Sequence, residues 1–161
     1  MIIRAGDNVL GGKKHVGTCG RIAELRDIAP TLLECAGIDI PEAMDGVSLM
    51  PHISGEGVKT REYLHGEHSG GVVSNHYIVT ERDKYIWFSQ SGREQYFDLK
   101  GDPREEHDAI GSGDSNRVRE LRNLLIKELT GREEGYTDGE SLVPGRKPLA
   151  MLSEPKIGLP R

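Results

Sequence analysis

Apolar and polar positions alternate through the middle of the chain and recur at helical spacing on either side of it. Tyr63-Leu64-His65, Tyr77-Ile78-Val79-Thr80, Lys84-Tyr85-Ile86-Trp87-Phe88 and Glu94-Gln95-Tyr96-Phe97-Asp98-Leu99 are rich in aromatic and β-branched residues and predict strands. Glu81-Arg82-Asp83 and the polar loop Ser89-Gln90-Ser91-Gly92-Arg93 are of hairpin length, so successive strands should pair antiparallel. Gly101 and Asp102-Pro103 stop the last strand in a fixed turn. Val118, Leu121, Leu125 and Leu129 then repeat at helical spacing, with Ser115 or Asn116 as the cap and Gly131 as the stop. This helix should cover one face of a sheet of about four strands.

A second, shorter helix is expected over Asp27–Gly37. Asp27 caps its start, Pro30 is tolerated in its first turn, Gly37 ends it, and Ile28, Leu32 and Cys35 share a face. Beyond it, Ile38-Asp39-Ile40-Pro41 is extended, and Asp45-Gly46-Val47-Ser48-Leu49 reads as a tight turn into a packed segment ending near Ile53. Before it, glycines interrupt residues 1–24, and the lone apolar pair Ile2-Ile3 suggests that the chain begins inside a longer protein. Residues 131–161 carry five glycines and four prolines without periodicity and predict an extended tail.

Composition narrows the function classes. The 161 residues are 35% hydrophobic and carry a formal charge of −5. An acidic chain with scattered Lys and Arg does not favour nucleic acid as a partner. No apolar run approaches the roughly 20 residues of a membrane-spanning helix, so no membrane partner is expected; the compartment stays open. Cys19 and Cys35 form no Cys-x-x-Cys motif and have no activating neighbour in sequence. Gly-x-Gly-x-x-Gly, the Walker pattern and Gly-x-Ser-x-Gly are all absent. Adjacent carboxylates such as Glu105-Glu106 and Glu133-Glu134 read as solvated, and Trp87 as a packing residue.

The histidines concentrate in His65-Gly66-Glu67-His68, with His76 eight residues on. On an extended strand His65 and His68 point to opposite faces, and the spacing matches no standard zinc pattern. Zinc binding is therefore the lesser reading, and no metal ligand is assigned. The favoured reading makes His65, Glu67, His68 and Asn75 a pocket rim belonging to a neighbouring domain, since imidazole and amide groups supply donors to anionic or sugar-like substrates. No catalytic residue is assigned.

Leu25-Arg26-Asp27-Ile28-Ala29-Pro30-Thr31-Leu32-Leu33-Glu34-Cys35-Ala36-Gly37-Ile38, followed by Pro41 and Asp45-Gly46-Val47-Ser48-Leu49, resembles the end of the large domain in the sulfatase (arylsulfatase) family. Lys84-Tyr85-Ile86, Glu94-Gln95-Tyr96-Phe97-Asp98-Leu99 and Asp102-Pro103-Arg104-Glu105 resemble that family's C-terminal subdomain. The resemblance implies an α+β fold. Residues 1–58 would close a larger α/β domain, 59–130 would form a small antiparallel sheet of about four strands packed by a C-terminal helix, and 131–161 the tail. It also implies a sulfuric ester hydrolase that uses calcium and a formylglycine made within Cys/Ser-x-Pro-x-Arg.

No such motif occurs here; Ser153-Glu154-Pro155-Lys156-Ile157 lacks the Arg. Calcium and formylglycine are therefore expected in an upstream part, and this segment alone is expected to be inactive. The implied partners are an N-terminal catalytic domain and a sulfated small molecule or glycan. Severed from that domain, the chain should expose apolar surface and self-associate. The alternatives are a fragment of a related phosphatase or phosphonate hydrolase, and a non-catalytic binding or interaction module.

Overall fold

The computed structural model describes residues 3–4, 17–55, 61–68 and 71–147. Ile2, the glycines between 6 and 12, Gly70, the 58/59 boundary and the tail beyond 147 lie outside the described residues. The chain divides into two compact units, Met1–Glu62 and Tyr63–Arg161.

In the first unit a 3-10 turn, Leu25–Asp27, leads into helix α1, Ile28–Cys35, and a short helix α2, Met50–Ser54, follows. Asp27 is fully buried and organises this unit. Its carboxylate accepts from the backbone N–H of Glu24 at 2.8 Å and of Val47 at 2.9 Å, and from Arg61 Nη1 and Nη2 at 2.6 and 2.7 Å. The expected helix cap is corrected here: Asp27 makes no capping bond to α1, because its oxygens are taken by the turn before it, the segment after it and a guanidinium. Thr31 Oγ1 donates to the Asp27 carbonyl at 2.6 Å and accepts from the Leu49 N–H at 2.9 Å, tying the 47–49 segment to the helix.

The apolar face expected of α1 is not its buried face. Pro30 and Thr31 are buried, whereas Ile28 and Leu32 are exposed. Hydrogen bonding to Asp27 and Leu49 fixes which side of this short helix turns inward, and the larger apolar side chains are left on its surface.

In the second unit, strands β1 (Leu64–His68), β2 (Asn75–Val79), β3 (Asp83–Phe88) and β4 (Glu94–Asp98) form one sheet in the order β1-β2-β3-β4, antiparallel throughout. Helix α3, Ser115–Leu129, covers one face. Ile78, Tyr85, Trp87 and Tyr96 from that face interlock with Val118, Leu121, Leu125 and Leu129. Full burial of each such side chain contributes about 1.5–3 kcal/mol. The cap of α3 is Asp114, one residue before the expected Ser115, because its carboxylate reaches the N–H groups of Asn116 and Arg117 at 3.0 and 3.2 Å. The extended segment after α3 supplies Tyr136, which is buried in the same core, and a single bridge pairs Thr137 with Leu142.

β1 runs three residues further than its aromatic start suggests, through Gly66. Glycine is tolerated there because the Tyr77 ring of the paired strand lies over it, in the space a Cβ would occupy. Asp98 and Asp102 serve the turn that ends β4: Asp98 accepts from the Lys100 N–H at 3.1 Å and Asp102 from the His107 N–H at 2.8 Å.

Two arginines of α3 grip carboxylates of the sheet. Arg117 bonds the fully buried Asp83 through Nε at 2.7 Å and Nη2 at 3.0 Å, and Thr80 Oγ1 donates to the same carboxylate at 2.6 Å. Arg122 bonds both oxygens of Glu94 at 2.7 and 2.6 Å, and the Tyr85 hydroxyl donates to Glu94 at 2.6 Å. Burial pushes both carboxyls up, but hydrogen bonds from the arginines outweigh it and hold them below the ordinary carboxylate range.

Gly66→Ala is expected to destabilise the sheet by about 1–3 kcal/mol in chemical denaturation, because the added methyl meets the Tyr77 ring; an unchanged midpoint would refute the close packing. Arg117→Met should lower stability at neutral pH by about 3 kcal/mol, since it strands a buried charge. A depressed folded-state pKa stabilises fully above the unfolded value of about 3.9 and is lost as pH falls through the lower folded value. The wild-type unfolding midpoint should therefore hold down to about pH 4 and then drop, whereas in Arg117→Met burial without the guanidinium pushes the Asp83 carboxyl up, so that lowering the pH from neutral should first recover part of the lost stability by protonating it. Identical pH profiles for the two proteins would show that the pair carries no such linkage.

Candidate functional site

The register of β1 on β2 decides which of the candidate rim residues meet. Glu67 pairs with His76, His65 with Ile78, and His68 with Asn75. Side chains alternate along a strand, so His65 and Glu67 share the helix-covered face with His76, while His68 and Asn75 share the opposite face. The four residues expected to form one rim therefore stand as two pairs on two faces. His68 is exposed, and Asn75 donates from Nδ2 to the Val73 carbonyl at 3.1 Å.

On the covered face the imidazoles of His65 and His76 stack, with ring centroids 5.6 Å apart and planes 13° apart. His76 is only 4% exposed; the Tyr136 ring meets it edge-on at 4.9 Å, and Trp87 lies tilted at 6.1 Å. Burial in this aromatic surround pushes the His76 pKa down to about 4, against the opposing pull of the Glu67 carboxylate. The imidazole is neutral at physiological pH. Its Nδ1 has no hydrogen-bond partner and stands 3.5 Å from Glu67 Oε2. A buried polar atom left so costs about 1–3 kcal/mol.

Arg132, just beyond α3, donates to Glu67 Oε2 at 2.6 Å and to Glu134 Oε1 at 2.8 Å. These hydrogen bonds push the guanidinium pKa up and hold the Glu134 carboxyl below its usual range. Neither His76 nor Arg132 belonged to the expected rim. His76 was visible in sequence only as a nearby histidine; its place opposite Glu67 depends on a β1–β2 register that the intervening residues do not reveal. Arg132 lies 65 residues from Glu67 and gives no local signal.

The donor types set what this cluster can do. Two imidazoles and one carboxylate suit borderline divalent metals, whereas calcium takes six to eight oxygen ligands, so the set does not fit calcium. A second cluster, Asp102, Glu106 and His107, is largely exposed, and Asp102 already serves backbone N–H groups. A groove of about 460 Å³ beside α3 is lined by Trp87, Glu94, Arg122, Asn123, Ile126 and Leu142. Of its charged lining residues, Glu94 and Arg122 are spent on each other, and Arg119 and Glu140 also border it.

Comparisons with known proteins agree on the lineage. The sequence matches the family described as N-sulphoglucosamine sulphohydrolase, C-terminal, over residues 13–134. An arylsulfatase of Clostridium perfringens (strain 13 / Type A) is 53% identical over 139 residues, covering 86% of this chain and 29% of that protein. An N-acetylglucosamine-6-O-sulfatase of Bacteroides thetaiotaomicron is 34% identical over 125 residues, covering 70% of this chain and 22% of that protein. A solved structure described as a 2-O GAG sulfatase superposes with a TM-score of 0.59 at 31% identity, over 68% of this chain and 25% of that one. The chain thus spans under a third of the length of these relatives. With the small antiparallel sheet, its covering helix and a match that takes in most of the residues, the chain belongs to the sulfatase family, as the C-terminal portion described for N-sulphoglucosamine sulphohydrolase.

Proposed function

We propose that this chain is part of an enzyme that hydrolyses sulfate esters of sugars, and that it completes the fold and borders the substrate pocket without supplying the reacting groups. The family match over residues 13–134 carries this reading. The names of the two relatives that act on N-acetylglucosamine 6-O-sulfate and on 2-O-sulfated GAG favour a sulfated sugar as the substrate class. They also favour sulfate over the phosphate or phosphonate esters of the alternative reading.

Formylglycine and calcium belong, in this proposal, to an upstream catalytic domain. When bound there they supply a nucleophile and a Lewis acid. This chain has neither the Cys/Ser-x-Pro-x-Arg motif nor, among the described residues, an oxygen-rich cluster free of other partners. Its contribution to substrate falls to His68 and Asn75, whose imidazole and amide share the face of the sheet opposite α3. His65 and Glu67, turned to the other face, hold the strand that presents them.

The surface of the first unit supports an upstream partner. Leu25 is 84% exposed, Leu32 64% and Ile38 56%, with Ile28, Ile40 and Val47 also open. A larger domain covering these side chains would remove them from water and gain the free energy of that burial.

The full-length protein containing this chain is expected to release sulfate from an aryl sulfate and from a sulfated glucosamine, and the isolated chain from neither. Release of phosphate from an aryl phosphate, with no sulfate released from the aryl sulfate, would decide for the alternative. In the full-length protein His68→Ala and Asn75→Ala should raise KM for the sulfated sugar more than they lower kcat; unchanged KM values would remove both residues from the rim. The isolated chain should also self-associate as its concentration rises in sedimentation. A clean monomer at high concentration would mean that the exposed apolar residues meet no large domain.

A further inference from the structure

The end of the sheet formed by β1 and β2 holds a donor set that a severed scaffold does not require. We propose that His65, Glu67 and His76 bind a divalent transition-metal ion of the zinc class, clasping the edge strand β1 to β2. One ligand atom from each of the three residues lies within 4.8 Å of the others. His76 Nδ1 stands 3.5 Å from Glu67 Oε2. Two ligands held at about 2.1 Å from zinc at the tetrahedral angle are about 3.4 Å apart, so this pair already has the spacing of one edge of a zinc tetrahedron.

The second observation is the state of His76. Its side chain is 95% buried, and the nitrogen that faces Glu67 has no hydrogen-bond partner. A buried imidazole normally has both nitrogens satisfied, one as donor and one as acceptor. A metal ion beside Glu67 would take up the Nδ1 lone pair. The cross-strand pairing of Glu67 with His76 places the two opposite each other, and His65, two residues before Glu67, is on the same face by alternation. Two imidazoles and one carboxylate leave a fourth position for water, the donor count of a three-ligand zinc site.

Arg132 is both a support and a rival. Its bond to Glu67 Oε2 orients the carboxylate toward His76, as outer-shell partners of metal ligands do, yet its charge opposes a cation. It also holds Glu134 at 2.8 Å, so it keeps a carboxylate partner when Glu67 turns to the ion. The clasp therefore joins β1, β2 and the segment after α3.

The test uses the full 161-residue chain, stripped of metal and titrated with Zn²⁺ by calorimetry and with Co²⁺ by absorption spectroscopy. One tight equivalent of Zn²⁺, the intense visible bands of tetrahedral Co²⁺ and a higher Tm in the zinc-loaded chain are expected. Glu67→Gln changes a partly exposed side chain conservatively and should weaken Zn²⁺ binding about 10–100-fold or more while the circular dichroism is unchanged. His76→Gln should do the same, and His107→Ala, in the exposed cluster, should leave the affinity as it is. The proposal is overturned if the wild type binds no Zn²⁺ at micromolar concentration, or if folded Glu67→Gln binds with wild-type affinity.

Discussion

The docking of α3 on the sheet through the buried Asp83–Arg117 pair is the constraint on which the second unit rests. Asp83 starts β3 with its carboxylate on the covered face, where it has no access to water. A charge so placed is tolerable only if its lone pairs are taken, and Arg117 and Thr80 take them. That requirement fixes the first turn of α3 against the sheet. Arg122 and Glu94 repeat the arrangement more than a turn later, so the helix is held at two points along its length as well as by its apolar stripe. Apolar packing supplies most of the stabilisation; the ion pairs decide the alignment.

The first unit applies the same device at Asp27, whose carboxylate gathers Glu24, Val47 and Arg61. In both units the most deeply buried acids are scaffold. This bears on function, because a buried carboxylate readily invites reading as a metal ligand. Asp27 and Asp83 are engaged on both oxygens by arginine and by backbone or hydroxyl donors, and Glu94 by Arg122 and the Tyr85 hydroxyl, so each already has its charge partner in the protein. The cluster at His65, Glu67 and His76 differs in kind: its buried nitrogen is unsatisfied, and its carboxylate is shared across strands.

Elements whose signal is local were legible in sequence. The strands, the hairpins between β2, β3 and β4, and α3 with its Val118-Leu121-Leu125-Leu129 stripe follow from periodicity and turn chemistry alone. The family resemblance was legible too, in the order of Leu25 to Ile38, Pro41 and Asp45 to Leu49, and in Lys84-Tyr85-Ile86, Glu94 to Leu99 and Asp102 to Glu105. Where competing partners decide, local reading failed. Asp27 sits where a cap belongs, yet tertiary donors claim its oxygens. Ile28 and Leu32 form an apolar face, yet Thr31 turns inward because it bonds Leu49.

The candidate site shows the same division more sharply. Sequence by itself determined that imidazoles and a carboxylate cluster between His65 and His76, that strand alternation would part His65 from His68, and that no sulfatase nucleophile motif lies in these residues. Only the tertiary structure decided that His76 stands opposite Glu67, that Tyr136 and Trp87 seal it from water, and that Arg132 arrives from beyond α3 to hold the carboxylate. The reason is physical. A donor set spread over two strands is made by register, and register is set by which residues the whole sheet must bury, a property that no short stretch of the chain contains.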